Sequence, residues 1–109
     1  MRQAKVLFKD NEAGVLIQHN DGSFTFRYHD NWIMDKEKPS ISLTLSKTKQ
    51  VYESNYLFPF FFNMLPEGSN KQMICKINRI DQDDYFGLLM TTAQNDSIGA
   101  IRVVKIEIS

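Results

Sequence analysis

The sequence predicts an α+β fold. Its parts are a small, hairpin-rich antiparallel sheet of about five to six strands and a cluster of about three short helices inserted before the last strand. Three observations carry that prediction. Residues 23–28 alternate strictly between polar and apolar behind the turn Asn20-Asp21-Gly22. From residue 69 onward, apolar side chains fall at helical spacing. Beyond residue 100, strand-like alternation returns.

The elements follow in order. Val6-Leu7-Phe8 is a short apolar run that stops at Lys9-Asp10-Asn11-Glu12, a strand and then a turn. Gly14 to His19 is a second strand, with Val15 and Ile17 on one face. Asp-Gly tolerates the positive φ of a tight hairpin turn, so Asn20-Asp21-Gly22 joins it to a third strand. There Phe24, Phe26 and Tyr28 share one face and Ser23, Thr25 and Arg27 the other, the pattern of a half-buried antiparallel strand. His29-Asp30-Asn31 breaks the alternation, Trp32-Ile33-Met34 is an apolar patch, and Asp35 to Pro39 is a solvated loop. Ile41, Leu43 and Leu45 alternate with Ser42 and Thr44, which predicts another strand. Ser46 to Gln50 is a polar loop long enough to move.

The pattern then turns helical. Leu57 to Leu65 is almost wholly apolar. Pro59 suits a first helical turn, where its missing N–H would have no partner anyway, and Pro66 and Gly68 stop the segment; a helix over 58–65 is predicted. Ser69 with Gln72 three residues on reads as a capping box. It opens an amphipathic helix through Met73, Ile77 and Ile80. Asp83 is placed to cap a third helix, on which Phe86, Leu89, Met90 and Ala93 fall at i, i+3, i+4 and i+7. Gly87 inside it is unfavourable against Ala by roughly 1 kcal/mol, which points to a close contact. Asn95 suits a left-handed C-cap. Ser97-Ile98-Gly99 turns the chain into a last strand, 100–108, whose apolar phase slips at Val103-Val104, the mark of a bulge or of burial on both faces.

Composition narrows the function. With 109 residues and 12.7 kDa, the chain is expected to be one domain, 1–109. The 13 basic and 13 acidic side chains cancel, and neither half carries a field that would hold nucleic acid or an anionic membrane. Near-zero net charge leaves little colloidal repulsion, a hint of a protein held in a complex. The single Cys75 excludes an internal disulfide framework and Cys-rich zinc sites. No apolar run approaches the ~18 residues of a membrane span, and Met1 to Lys5 leads into only three apolar residues, so a soluble, cytoplasmic protein is expected.

Catalytic chemistry finds no converging set. His19 and His29 sit at the two ends of one hairpin without a Cys, Asp or Glu at metal-ligand spacing. Asp81-Gln82-Asp83-Asp84 starts like a calcium loop, but Phe86 and Thr92 stand where Gly and Glu belong. Acidic groups there suit a helix N-terminus instead. Phosphate-binding glycine loops, the G-x-S-x-G elbow and kinase catalytic motifs are absent from the sequence. No enzyme activity, cofactor or metal is expected.

The run Leu57-Phe58-Pro59-Phe60-Phe61-Phe62-Asn63-Met64-Leu65-Pro66 stands out. Successive helical residues lie ~100° apart, so four Phe within five positions cannot all face one core. Either the helix is buried on all sides, or some rings reach the surface as an interface.

At these residues the sequence resembles a known family. Asn63-Met64-Leu65-Pro66-Glu67-Gly68 resembles the "N-L-L-P-E-G" element of the first N-terminal subdomain of HipA-like proteins. Gly14-Val15-Leu16 is similar to that family's "G-x-L" and Phe26-Arg27-Tyr28 to its "F-x-Y". Pro39 to Leu45 is similar to its "P-I-S-L-S-L-P" strand. Asp84 to Leu89, with Asn95 to Ala100, resembles "D-x-F-x-L-L … G-x-D-x-x-G-A". The ordered set covers essentially the whole chain. Ser46 departs from a frequent Pro, and Asn95 from a frequent Gly.

HipA-like toxins are Ser/Thr kinases whose catalytic residues lie downstream of this subdomain. A free-standing copy is similar to the HipS-like small proteins of tripartite HipBST toxin–antitoxin operons. The resemblance therefore implies a non-catalytic protein that binds a HipT-like Ser/Thr kinase toxin and neutralises it as an antitoxin. A HipB-like DNA-binding protein would join in a ternary complex, without direct contact of this chain with nucleic acid. An alternative within the family is an accessory structural subunit that completes the kinase without inhibiting it. The residues expected to meet the partner are Phe58, Phe61 and Phe62 as aromatic anchors and the turn Leu65-Pro66-Glu67-Gly68, with Glu67 facing a basic group. Trp32 is a second anchor candidate, and the edge of the core is its other reading.

Overall fold

Alternation builds the sheet as the sequence predicts. The computed structural model describes residues 1–93 and 100–106. Phe24, Phe26 and Tyr28 of strand β3 (Phe24–Tyr28) are buried, while Arg27 on its other face is exposed. Through Asp21 and Gly22, β3 pairs with β2 (Asn11–Gln18), which pairs with β1 (Arg2–Phe8). Strand β4 (Val51–Ser54) joins the far side of β3, and β5 (Ile101–Lys105) joins the far side of β1. The result is one antiparallel sheet in the order β4-β3-β2-β1-β5. Between β1 and β2 the register shifts at Val6/Leu7, so Ala13 is the extra residue of a bulge. The bulge therefore lies here. In β5 the pairing with β1 is unbroken over 101–105, and the slip at Val103-Val104 reflects a buried Val103 beside a half-buried Val104.

Among the described residues, four helices complete the α+β architecture: α1 (Asp30–Met34), α2 (Pro59–Phe62), α3 (Gly68–Asn78) and α4 (Tyr85–Thr92). Helices α2 and α4 cover one face of the sheet. Phe61 packs on Phe26 with ring centroids 5.9 Å apart, and Phe86 stacks on Phe24 at 6.2 Å. Helix α1 was an apolar patch in the sequence; its Trp32 is buried, meets Phe8 edge-on and donates from Nε1 to the Pro39 carbonyl at 2.9 Å.

Residues 41–45 correct the sequence reading. They form a turn with one isolated bridge, Ser42 to Leu45, in place of a strand. Ile41 and Leu45 point inward, whereas Leu43 is 99% exposed, a spacing of four that alternation alone imitates. The cause is Tyr28. Its buried hydroxyl donates to the Leu45 carbonyl and accepts from the Ile41 N–H at 3.0 Å, folding the segment over the end of β3. Burial of that hydroxyl also raises its pKa above the ordinary phenolic value. The loop after it is tied at several points: Lys47 donates from its backbone N–H to Ser40 Oγ at 2.9 Å and from Nζ to the Lys38 carbonyl at 2.7 Å, and Tyr52 Oη donates to the Ser46 carbonyl at 2.7 Å. It ends in β4, which the sequence reading left without an element.

The helices also shift. The segment predicted as a helix over 58–65 contains a single α-helical turn with Pro59 at its start, followed by turns to Leu65. Helix α3 begins behind Glu67 as N-cap, so Ser69 is inside it and makes no capping box. It closes on Arg79 in the left-handed conformation. Helix α4 is capped by Asp84, one residue after the predicted Asp83, and Asp84 Oδ1 accepts from the Gly87 N–H at 3.1 Å. A Cβ on Gly87 would collide with that carboxylate, the close contact which its presence in a helix suggested. Arg2 pairs with the same carboxylate at 2.6 Å and lies over the Phe86 ring, tying β1 to the start of α4. The Arg2 hydrogen bond, followed by that of Gly87, holds the Asp84 carboxyl below the usual carboxylate range. The predicted cap at Asn95, the turn 97–99 and the end of the last strand lie outside the described residues.

Candidate partner-binding surface

The Phe-rich segment is divided by its own geometry. A one-turn helix anchored on the sheet sends residues i and i+3 inward, so Phe58 and Phe61 are buried. Phe61 fills the space between Phe26, Phe58 and Phe60, at ring distances of 5.9, 6.4 and 5.2 Å. Phe62, one position on, is 48% exposed. Both sequence alternatives are thus partly realised, with part of the run in the core and part on the surface.

Phe62 does not stand alone. Its ring meets Tyr85 of α4 edge-on at 5.5 Å, and Lys71 Nζ of α3 lies 5.3 Å from the centroid of that tyrosine. Phe62, Tyr85, Leu57, Tyr56 and Phe24 line a recess of about 310 Å³, with Gln18 and Asp83 among its polar groups. Tyr56 is 80% exposed. An aromatic-lined hollow with few polar groups is suited to receive apolar side chains.

The turn that follows presents Leu65 and Pro66 half-buried and Glu67 and Gly68 exposed. Gly68 has φ +59, a conformation that costs a residue with a Cβ roughly 1–2 kcal/mol. Glycine at this position lets the chain swing sharply from Pro66 into α3. Helix α3 then carries Met73 and Ile77, 55% and 72% exposed, one turn apart on the same stripe.

The eight sequence candidates therefore separate. Phe62, Leu65, Pro66, Glu67 and Gly68 lie at or near the surface of one segment. Phe58, Phe61 and Trp32 are core residues, because α2 and α1 point them at the sheet, and in this fold they offer a partner no face. Tyr56 and Tyr85 enlarge that surface beyond the sequence reading, and Met73 and Ile77 are exposed on α3. The helical spacing of Met73 and Ile77 marked the apolar face of an amphipathic helix without saying what would cover it.

Other chemistry-bearing groups lie elsewhere. His19 Nε2 is 2.7 Å from Thr25 Oγ1, and His29 Nε2 is 3.1 Å from Glu12 Oε2, at opposite ends of the β2–β3 hairpin. Asp81 and Asp84 accept backbone N–H groups at the entrance of α4. Cys75 is buried on α3. Among the described residues, no three of His, Cys, Asp and Glu are grouped to hold a metal ion.

Comparison with known proteins gives three findings. A family model described as the HipA N-terminal domain matches residues 4–104. An uncharacterized protein of Haemophilus influenzae is 27% identical over 103 residues, which are 94% of this chain and 92% of that protein. A solved structure, the N-terminal domain of HipA toxin, is similar with a TM-score of 0.73 and 26% identity, covering 100% of this chain and 96% of that one.

Proposed function

We propose, from the premise that this chain belongs to the HipA N-terminal domain family, that it is a non-catalytic partner of a HipA-like Ser/Thr kinase toxin and neutralises that kinase as an antitoxin. The match over residues 4–104 and the HipA toxin domain as structural neighbour support a HipA-like component related to toxin–antitoxin systems. One observation supports partner binding: Phe62 is half-exposed against Tyr85 while its neighbours Phe58 and Phe61 fill the core. An aromatic ring held rigidly at the surface is a good anchor, since little side-chain freedom remains to be lost on docking.

In this reading Phe62 and the Leu65-Pro66 turn dock on the kinase, and Glu67 meets a basic group there. A wedge beside the nucleotide site would keep the kinase lobes from closing, and closure is needed to align phosphates, metal ions and the catalytic base. The complex would be cytoplasmic, and a HipB-like DNA-binding protein would join it through the kinase. A second reading is favoured by the neighbour's description as part of the HipA toxin itself: the chain completes the kinase as an accessory subunit without inhibiting it.

Co-expression with a HipA-like kinase that lacks its own copy of this domain tests both readings. The expected result is restored growth and a complex that co-purifies, both weakened by Phe62→Ala. A complex without growth rescue, together with higher kinase activity, selects the accessory reading. Failure to form any complex overturns both.

A further inference from the structure

The entrance to α4 carries two acid–aromatic pairs in alternate positions, Asp84 with Phe86 and Asp83 with Tyr85. The first pair holds an arginine of this chain. Arg2 donates to the two Asp84 carboxylate oxygens at 2.6 and 3.0 Å and from Nε to Gln18 Oε1 at 2.8 Å, and its guanidinium lies 5.1 Å from the centre of the Phe86 ring. The second pair lines the recess beside Phe62, as Gln18 does. Among the described residues, the Asp83 carboxylate enters no ion pair.

Charge says what the recess would accept. Asp83 is the one charged group lining it among the described residues, and four rings, those of Phe24, Tyr56, Phe62 and Tyr85, share its walls. A second hollow of about 330 Å³ shares Phe24 and Asn55 with it and has Glu53 as its carboxylate. Neither hollow is lined by a lysine or an arginine among the described residues. Ring faces and a carboxylate both attract positive charge, so the complement is a cation carried on an apolar stem. Tyr85 already draws one: Lys71 Nζ lies 5.3 Å from its centroid, although Lys71 does not line the recess. A guanidinium fits better than an ammonium, because it is planar, weakly hydrated and able to pair with a carboxylate through two N–H groups.

We infer that the recess receives an arginine side chain of the partner, its stem along the aromatic walls and its guanidinium paired with Asp83. The inference rests on the reading of the Phe62 segment as the docking surface and gives that surface a chemistry. It repeats between two molecules what Asp84, Phe86 and Gln18 do with Arg2 inside one.

Nuclear magnetic resonance titration of the full-length protein with doubly blocked arginine (N-acetyl-arginine methylamide), and with the equally blocked citrulline as its uncharged isostere, tests this. Amide shifts at Tyr56, Leu57 and Tyr85 should saturate with arginine, and citrulline should bind roughly fivefold or more weakly. Asp83→Asn should bring arginine down to the citrulline level. Tyr56→Leu, at an 80% exposed position, keeps an apolar wall and removes a ring face, and should weaken arginine about two- to fivefold. Lys71→Gln removes a neighbouring like charge, so it should strengthen arginine and leave citrulline unchanged. The inference is overturned by the absence of a saturable shift, by citrulline binding as well as arginine, or by indifference to Asp83→Asn. Co-purification with a HipA-like kinase lacking its own copy of this domain separates it from the docking reading. Asp83→Asn should weaken that complex roughly fivefold. A complex that forms and ignores Asp83→Asn overturns the inference and leaves the docking reading standing. Arginine-selective binding without any kinase complex overturns the docking reading and keeps the recess as an arginine site.

Discussion

Helices α3 and α4 follow one another in the chain and place their apolar residues in opposite ways. Four of the eight residues of α4, Phe86, Leu88, Leu89 and Met90, are buried. Of the eleven in α3, only Cys75 is buried, and Met73 and Ile77 face outward. Their starts differ as well. Asp84 caps α4 and is held by Arg2, whereas Glu67 makes no side-chain cap for α3. The difference teaches that helical spacing reveals an apolar stripe but not what covers it. In α4 the cover is the sheet; in α3 it is left for something else.

The largest test of this contrast is Phe86→Ala. It removes a fully buried ring stacked on Phe24 and should destabilise the chain by about 3–5 kcal/mol in denaturant unfolding. A loss below about 1 kcal/mol would break the claim that α4 is the core helix. Next is Asp84→Asn, which weakens the Arg2 pair and the cap and should cost roughly 1 kcal/mol near neutral pH. Its pH dependence has a definite sign. The folded-state carboxyl lies below its ordinary 3.8, so the stabilisation is full above that value and fades as pH falls through the folded-state pKa. The gap between Asp84→Asn and the parent should therefore narrow on acidification; a constant gap would mean that neither the Arg2 pair nor the Gly87 cap depends on the charge of Asp84.

Hydrogen exchange sharpens the comparison further. Amides of α4 should exchange through global unfolding, and those of α3 through local opening, with protection lower by about tenfold or more. Equal protection would mean that α3 is as firmly docked as α4. The smallest effect belongs to Met73→Ser and Ile77→Ser, each expected to shift stability by no more than about 0.5 kcal/mol. A loss of 2 kcal/mol at either site in equilibrium unfolding would show that α3 contributes to the core after all.

Much of this molecule could be read from its sequence where a local rule met no competitor. The β2–β3 hairpin followed from Asn20-Asp21-Gly22 and the alternation of Phe24, Phe26 and Tyr28. The face of α4 followed from Phe86, Leu89 and Met90. Where a long-range partner intervened, local rules failed. Ile41 to Leu45 alternates like a strand, yet the Tyr28 hydroxyl, far along the chain, bends it into a turn. Val51 to Ser54 is a strand because β3 offers it a ladder, and its own composition is too polar to announce that. On the candidate surface, the sequence located the segment and the motif but could not divide it. Phe61 and Phe62 are identical residues one step apart, and only the anchoring of α2 on Phe26 decides which is core.

The position of β1 also has a consequence in time. It lies between β2 and β5, so one of its flanks is paired by a strand that follows almost immediately and the other by nearly the last residues described. As the chain leaves the ribosome, β1, β2 and β3 can assemble through short turns. The flank that receives β5 stays bare while the intervening helices are made, on the order of ten seconds at typical synthesis rates. During that interval the nascent protein carries an unpaired edge in what becomes the interior of its sheet. Its vulnerability to misassembly is therefore greatest while that edge is bare, and it closes when Ile101 to Lys105 arrive.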